Sequence, residues 1–172
     1  MRLHRWKEKS LGEFEELLAV GRRLELFESI QFVATTGGSQ NFISAEVDGV
    51  NIGYLSDGTI RGLRIALELV DPKTKLLMID EPESAVHPGL LRRLLHEIDA
   101  YSEDRQIILA TQSPQVVSWA NPASIRLVER KNGATTVRSL DAATLGRLDT
   151  YLHEGDTLGD FIYGGGIDDA AE

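Results

Sequence analysis

The sequence predicts an α/β fold: a parallel sheet flanked by helices, with a strand and helix segment ahead of it and a terminal hairpin behind. Two short apolar runs, "KLLMID" and "QIILAT", are separated by a segment whose Leu90, Leu91, Leu94, Leu95 and Ile98 share one helical face. Strand, helix, strand with nearly unbroken apolar strands is the pattern of a parallel sheet covered on both faces. Further on, "SIRLVER" and "TTVRSL" flank Lys131-Asn132-Gly133, a hairpin signal.

The elements follow in order. Ser10, three residues ahead of Glu13, has the form of a capping box, and Leu11, Phe14, Leu17 and Leu18 then share a face up to about Gly21, which predicts a first helix. From Phe27 the chain breaks into the strand-like segments "FESIQFVA", "NFISAEV" and "VNIGYL", separated by Gly37-Gly38 and Asp48-Gly49. Residues 59–70 have helical periodicity, ended by Asp71-Pro72, and a second helix is expected from about Pro88 to Tyr101. The tail predicts a helix near Leu145 to His153 and carries a glycine run at Gly164 to Gly166. There is no internal repeat, and the motifs described below delimit three segments: 1–53, 54–140 and 141–172.

Composition narrows the classes. With 42% hydrophobic and 26% charged residues the chain has an ordinary globular balance, and no apolar run approaches the roughly 20 residues that cross a bilayer. The start lacks the apolar core of a secretory signal, so the expected location is the cytoplasm. The absence of cysteine excludes disulfides, thiolate metal sites and cysteine nucleophiles. The formal charge is −9, and residues 141–172 hold eight acidic side chains against the single Arg147. The only modest basic candidates are Arg2 to Lys9, Arg22-Arg23 and Arg92-Arg93. If DNA is a partner, this chain alone is not expected to grip it.

Three short motifs carry chemistry. Asp80 and Glu81 stand where an apolar strand leaves the sheet, the end at which open α/β sheets bind ligands. Adjacent carboxylates there need a positive partner, and a hydrated Mg²⁺ carrying a phosphate is one solution. A turn at Glu81-Pro82 would let Asp80 face the metal's shell and Glu81 an attacking water; solvated charges ending a strand are the plainer alternative. Ser56, Asp57 and Gly58 precede a helix, and its free N–H groups with the Ser56 hydroxyl make either a small anion site or an ordinary N-cap. Gln112 ends the second apolar run, where an amide could orient water or read a γ-phosphate, or belong to a turn set by Pro114.

In order and spacing, "LSDGTIRG" resembles the signature motif of ABC-type ATPases, "LLMIDEPESAVHP" their Walker B strand and D-loop, and "IILATQSP" their switch segment. The chain is similar to ABC-like AAA ATPases of the SMC and RecF type found in DNA repair and anti-phage defence, whose final segment often has a stretch like "TLGDFIYGGG". The resemblance implies a P-loop NTPase-like sheet, ATP and Mg²⁺ as ligands, Asp80 supporting the metal and Glu81 polarising water. Ser56 and Gly58, with Asp57 in the same motif, would contact the γ-phosphate of a nucleotide held by an opposite subunit. Ser84 to His87 would lie in the D-loop across that interface, Gln112 would replace the usual switch histidine, and Arg61 is a candidate for interface or phosphate contact. The implied partner is a second head, closing over ATP as a homo-oligomer, with an attached effector protein possible.

A glycine-rich loop ending in Lys-Ser or Lys-Thr, needed to cradle the phosphates, is missing. "TTGGSQNF" lacks the lysine and sits in an apparent hairpin. In the family that loop precedes the signature, and only about fifty residues precede Ser56 here, so the expectation is a C-terminal portion of a head, completed by a missing lobe or a partner chain. A degenerate, non-catalytic interaction module is the second reading. A metal-dependent nuclease built on Asp80, Glu81, Glu83 and His87 is the third.

Overall fold

The computed structural model describes residues 2–37 and 40–167, so the expected turn at Gly37-Gly38 lies partly outside the described residues. The chain falls into two compact units, one ending at Ala110 and the other starting at Thr111. This division cuts across the motif-bearing segment 54–140, because the units follow packing and the segment follows motif order.

The first unit opens with helices α1 (Arg2–Lys9) and α2 (Leu11–Arg23). The capping box expected at Ser10 does not form: α1 occupies the residues before it, and the Ser10 N–H donates to the Trp6 carbonyl at 2.8 Å, as a helix end does. Helix α2 buries Phe14, Leu17 and Val20. At Gly21 a Cβ would overlap the Phe27 ring, so glycine lets that aromatic close the core. Arg23 donates to both carboxylate oxygens of Glu97, at 2.8 and 3.0 Å, and Glu16 accepts from Arg23 and from the Tyr101 hydroxyl.

Strands β1 (Ile30–Gly37) and β2 (Gln40–Val47) pair antiparallel from Ile30↔Val47 to Gly37↔Gln40. "VNIGYL" corrects the sequence reading: only Val50–Asn51 pairs, as β3, before a 3₁₀ turn over Ile52–Tyr54. The Asn51 side chain accepts from the Gly53 N–H and turns the chain there.

Helix α3 (Asp57–Val70) buries Leu63, Ile65, Ala66 and Leu69, and packs against α2. Strands β4 (Leu76–Asp80) and β5 (Gln106–Ala110) are parallel, in register from Leu76↔Gln106 to Asp80↔Ala110, joined through α4 (Pro88–Ala100). The expectation that both faces of these strands are covered is not met. Leu77 and Ile79 are 8% and 7% exposed, whereas Leu76 and Met78 on the opposite face are 51% and 70% exposed. Successive strand residues point to opposite faces, and among the described residues only one face is packed.

The second unit contains α5 (Pro114–Trp119), the hairpin β6 (Arg126–Lys131) and β7 (Ala134–Ser139), α6 (Ala142–His153) and α7 (Leu158–Tyr163). Asn132 and Gly133 both have positive φ, 52° and 81°, as a two-residue hairpin turn of primed type requires. Thr157 and Asp160 form a reciprocal capping box that starts α7. Val117, Leu148, Leu158, Phe161 and Ile162 form the core of this unit. Gly159 lets α7 approach α5: its N–H donates to Ser118 Oγ at 2.9 Å, and a Cβ would overlap the Pro114 carbonyl. No described helix is long and apolar enough to cross a membrane.

Candidate functional site

The site grows from the carboxyl end of β4. Asp80 is the last strand residue, exposed, and its carboxylate has no hydrogen-bond or ion-pair partner among the described residues. The next N–H, that of Glu81, makes one more sheet bond, to the Ala110 carbonyl at 2.7 Å. The chain then leaves the strand abruptly. Glu81 has φ 48°, a left-handed conformation that a residue with a Cβ rarely adopts.

The turn expected at Glu81-Pro82 is therefore present, and it continues. The Ser84 N–H donates to the Glu81 carbonyl at 2.9 Å and the Val86 N–H to the Glu83 carbonyl at 3.1 Å, while Pro82 is buried beneath. Ala85 is also left-handed, φ 60°. Ser84 is exposed. His87 ends the loop as the N-cap of α4, its Nδ1 accepting from the Gly89 N–H at 3.1 Å.

The start of α3 lies against this loop. Ser56 is its N-cap: Oγ accepts from the Thr59 N–H at 3.2 Å and lies 2.8 Å from Thr59 Oγ1. Asp57 occupies the first turn, where a carboxylate complements the helix dipole. A Cβ on Gly58 would overlap the Ala85 carbonyl oxygen, so the glycine is what permits this approach. One turn further, Arg61 Nη2 donates to the carbonyls of both Asp80 and Glu81, the latter at 2.6 Å.

The structure thus brings together Ser56, Asp57, Gly58, Arg61, Asp80, Glu81, Ser84 and His87 within the first unit. Gln112 lies in the second unit, exposed, in the short loop before α5 where the Ser113 N–H donates to Thr111 Oγ1 at 2.9 Å. For the four residues of the nuclease reading, no group of three or more His, Asp or Glu side chains among the described residues is placed to hold a metal ion, and His87 serves as a helix cap. A single exposed carboxylate at Asp80 fits a different metal chemistry, in which Mg²⁺ is held through one carboxylate and the substrate's phosphates. Sequence reasoning did not find the left-handed Ala85, for which an alanine gives no signal.

The carboxyl end of a parallel strand is where open α/β folds bind ligands. Residues 46–118 match the family model described as "AAA domain, putative AbiEii toxin, Type IV TA system". The thiamine import ATP-binding protein ThiQ of Histophilus somni (strain 129Pt) is 29% identical over 129 residues, covering 72% of this chain and 57% of that protein. ABC transporter A family member 4 of Dictyostelium discoideum is 26% identical over 117 residues, 60% of this chain and 7% of that protein. Among solved structures, the SMC head bound to the C-winged helix domain of ScpA superposes with a TM-score of 0.60 at 16% identity, over 84% of this chain and 47% of that one. The chain thus spans about half the length of the first of these relatives and of the SMC head. Residues 46–118 are thus similar to that AAA family, about three quarters of the chain is similar to an ABC-type ATP-binding protein, and the fold is that of SMC heads.

Proposed function

We propose that this chain is the C-terminal part of a Mg²⁺-dependent ATPase head that closes with a second head over ATP. A phosphate-binding loop would come from a further lobe or a partner chain. The observation that carries the reading is the left-handed turn at Glu81: the backbone of the residue that bears the carboxylate leaves the sheet at the carboxyl end of β4 and is bonded there by Arg61 of α3. Asp80 would hold Mg²⁺, which when bound neutralises phosphate charge. Glu81 would orient and polarise the attacking water. Ser56 and Gly58 would donate to the γ-phosphate of the nucleotide held by the opposite head, with Asp57 beside them and Ser84 and His87 facing the same interface. Gln112 would take the place of the switch residue.

ATP that binds only across two heads favours the closed pair by linkage, and hydrolysis releases it. That cycle would drive an effector protein or act on DNA, in repair or anti-phage defence, in the cytoplasm. The test is Glu81→Gln in the completed head. Retained ATP binding with turnover lowered about a hundredfold or more is expected for loss of a water-orienting carboxylate; wild-type turnover would remove Glu81 from catalysis. One observation favours a non-catalytic interaction module instead: Ser56 Oγ already bonds Thr59, as a purely structural cap does. That reading predicts pairing of heads at the same strength with and without ATP.

A further inference from the structure

We infer that Arg61 is a positioning residue, whose guanidinium holds the backbone of Asp80 and Glu81 in the bend from which the Glu81 carboxylate acts. The inference rests on the hydrolytic role proposed for Glu81 and deepens it. It also departs from what the resemblance implies for Arg61, an interface or phosphate contact, because the group is turned inward.

In an extended strand successive carbonyls point to opposite sides, so one donor cannot serve two in a row. Arg61 Nη2 serves the carbonyls of Asp80 and Glu81 together. That is possible because Glu81 leaves the strand at φ 48°, and the shared donor in turn favours that departure. A charged donor forms stronger bonds than a neutral one.

The placement of Arg61 is equally directed. It lies one turn beyond Gly58 on α3, and Ile65, one turn further, is buried on the same side. Gly58 sets the approach of that face to the loop through the Ala85 carbonyl. Arg61 Nε is buried without a partner, a cost that an arginine placed only for solvation would avoid. Two contacts therefore clamp the loop from α3, Gly58 on Ala85 and Arg61 on Asp80 and Glu81. Only the second bears on the residue that carries the carboxylate.

The experiment uses the completed head, this chain with the lobe that supplies its phosphate-binding loop. Arg61→Ala is expected to lower kcat about tenfold to a hundredfold, because a small misplacement of a catalytic group has effects of that size. ATP affinity should stay within about threefold of wild type, since the lost interaction is not with the nucleotide. Added guanidinium ion should restore part of kcat to Arg61→Ala, and Arg61→Lys should fall between the two. If Arg61→Ala fails to fold, Arg61→Lys with the same kcat and affinity measurements decides.

Weakened ATP binding at unchanged kcat would make Arg61 a phosphate contact and overturn the inference, as would unchanged kinetics. Glu81→Gln is run alongside. If it hydrolyses ATP at the wild-type rate, the hydrolytic reading falls and this inference with it. If it traps ATP while the Arg61 variants hydrolyse normally, only the inference about Arg61 falls.

Discussion

Gly58 in the first turn of α3 and the carbonyl of Ala85 in the loop after β4 lie so close that no side chain fits between them. The neighbour is backbone rather than the end of a flexible side chain, and Ala85 is itself held left-handed. The two motifs are therefore locked together within one chain, before any second head is considered.

Gly58→Ala should destabilise the chain by about 1–3 kcal/mol, the range for overpacking a fitted contact, even though alanine is the better helix former. Urea unfolding measures it. A variant as stable as its parent would mean that the loop is not held against α3.

Two left-handed residues in one loop store strain, and glycine releases it. Glu81→Gly and Ala85→Gly should each raise the unfolding free energy by up to about 1 kcal/mol, the relief of the left-handed cost less the extra flexibility glycine gives the unfolded chain. They should differ in function. Ala85→Gly keeps the Glu81 carboxylate and should retain turnover in the completed head, while Glu81→Gly should not. Thermal melts with matched ATPase assays check both, and a lower melting temperature for either glycine variant would contradict the strain.

The link between α2 and α4 should contribute to the pH dependence of the first unit's stability. Partial burial acts to raise the pKa of Glu16, but hydrogen bonds from Tyr101 and Arg23 outweigh it and hold the carboxyl below its ordinary range. A lowered folded pKa means that this contribution is complete above the unfolded value, about 4.3 for glutamate, and is lost as pH falls through the folded value. Burial, and then the bond to Glu16, push the Tyr101 hydroxyl up. Its contribution is complete below about pH 10 and is lost as pH rises toward the folded value. Melting temperature against pH should fall on the acid side less steeply for Glu16→Gln, and on the alkaline side less steeply for Tyr101→Phe. Limbs that match wild type would show that the network contributes nothing.

Much of the architecture was legible locally. The stripe through residues 59–70 is α3, the Leu90 to Ile98 face is α4, and Asn132-Gly133 makes the turn of the last hairpin. Those signals are short-range: helical periodicity, a proline at a helix start, two residues that tolerate positive φ. Where sequence reasoning failed, a neighbour intervened. The Ser10 capping box lost to a preceding helix, and the even apolarity of "LLMI" hid a strand with one packed face. The Thr157 to Asp160 capping box follows Glu154-Gly155-Asp156, a stretch whose local signal is charge and a turn rather than a helix start.

The sequence by itself determined which residues could do chemistry: paired carboxylates at a strand end, a serine and glycine opening a helix, and an order of motifs that resembles ATPase heads. Tertiary structure alone decided how they are held. It placed the Arg61 guanidinium on the carbonyls of Asp80 and Glu81, drove Glu81 and Ala85 into left-handed conformations, and seated Gly58 on Ala85. These contacts join residues about twenty or more positions apart, where no local periodicity reaches. Backbone carbonyls carry no residue identity, so a bond from a side chain to one of them leaves no pattern in the sequence until the chain has folded.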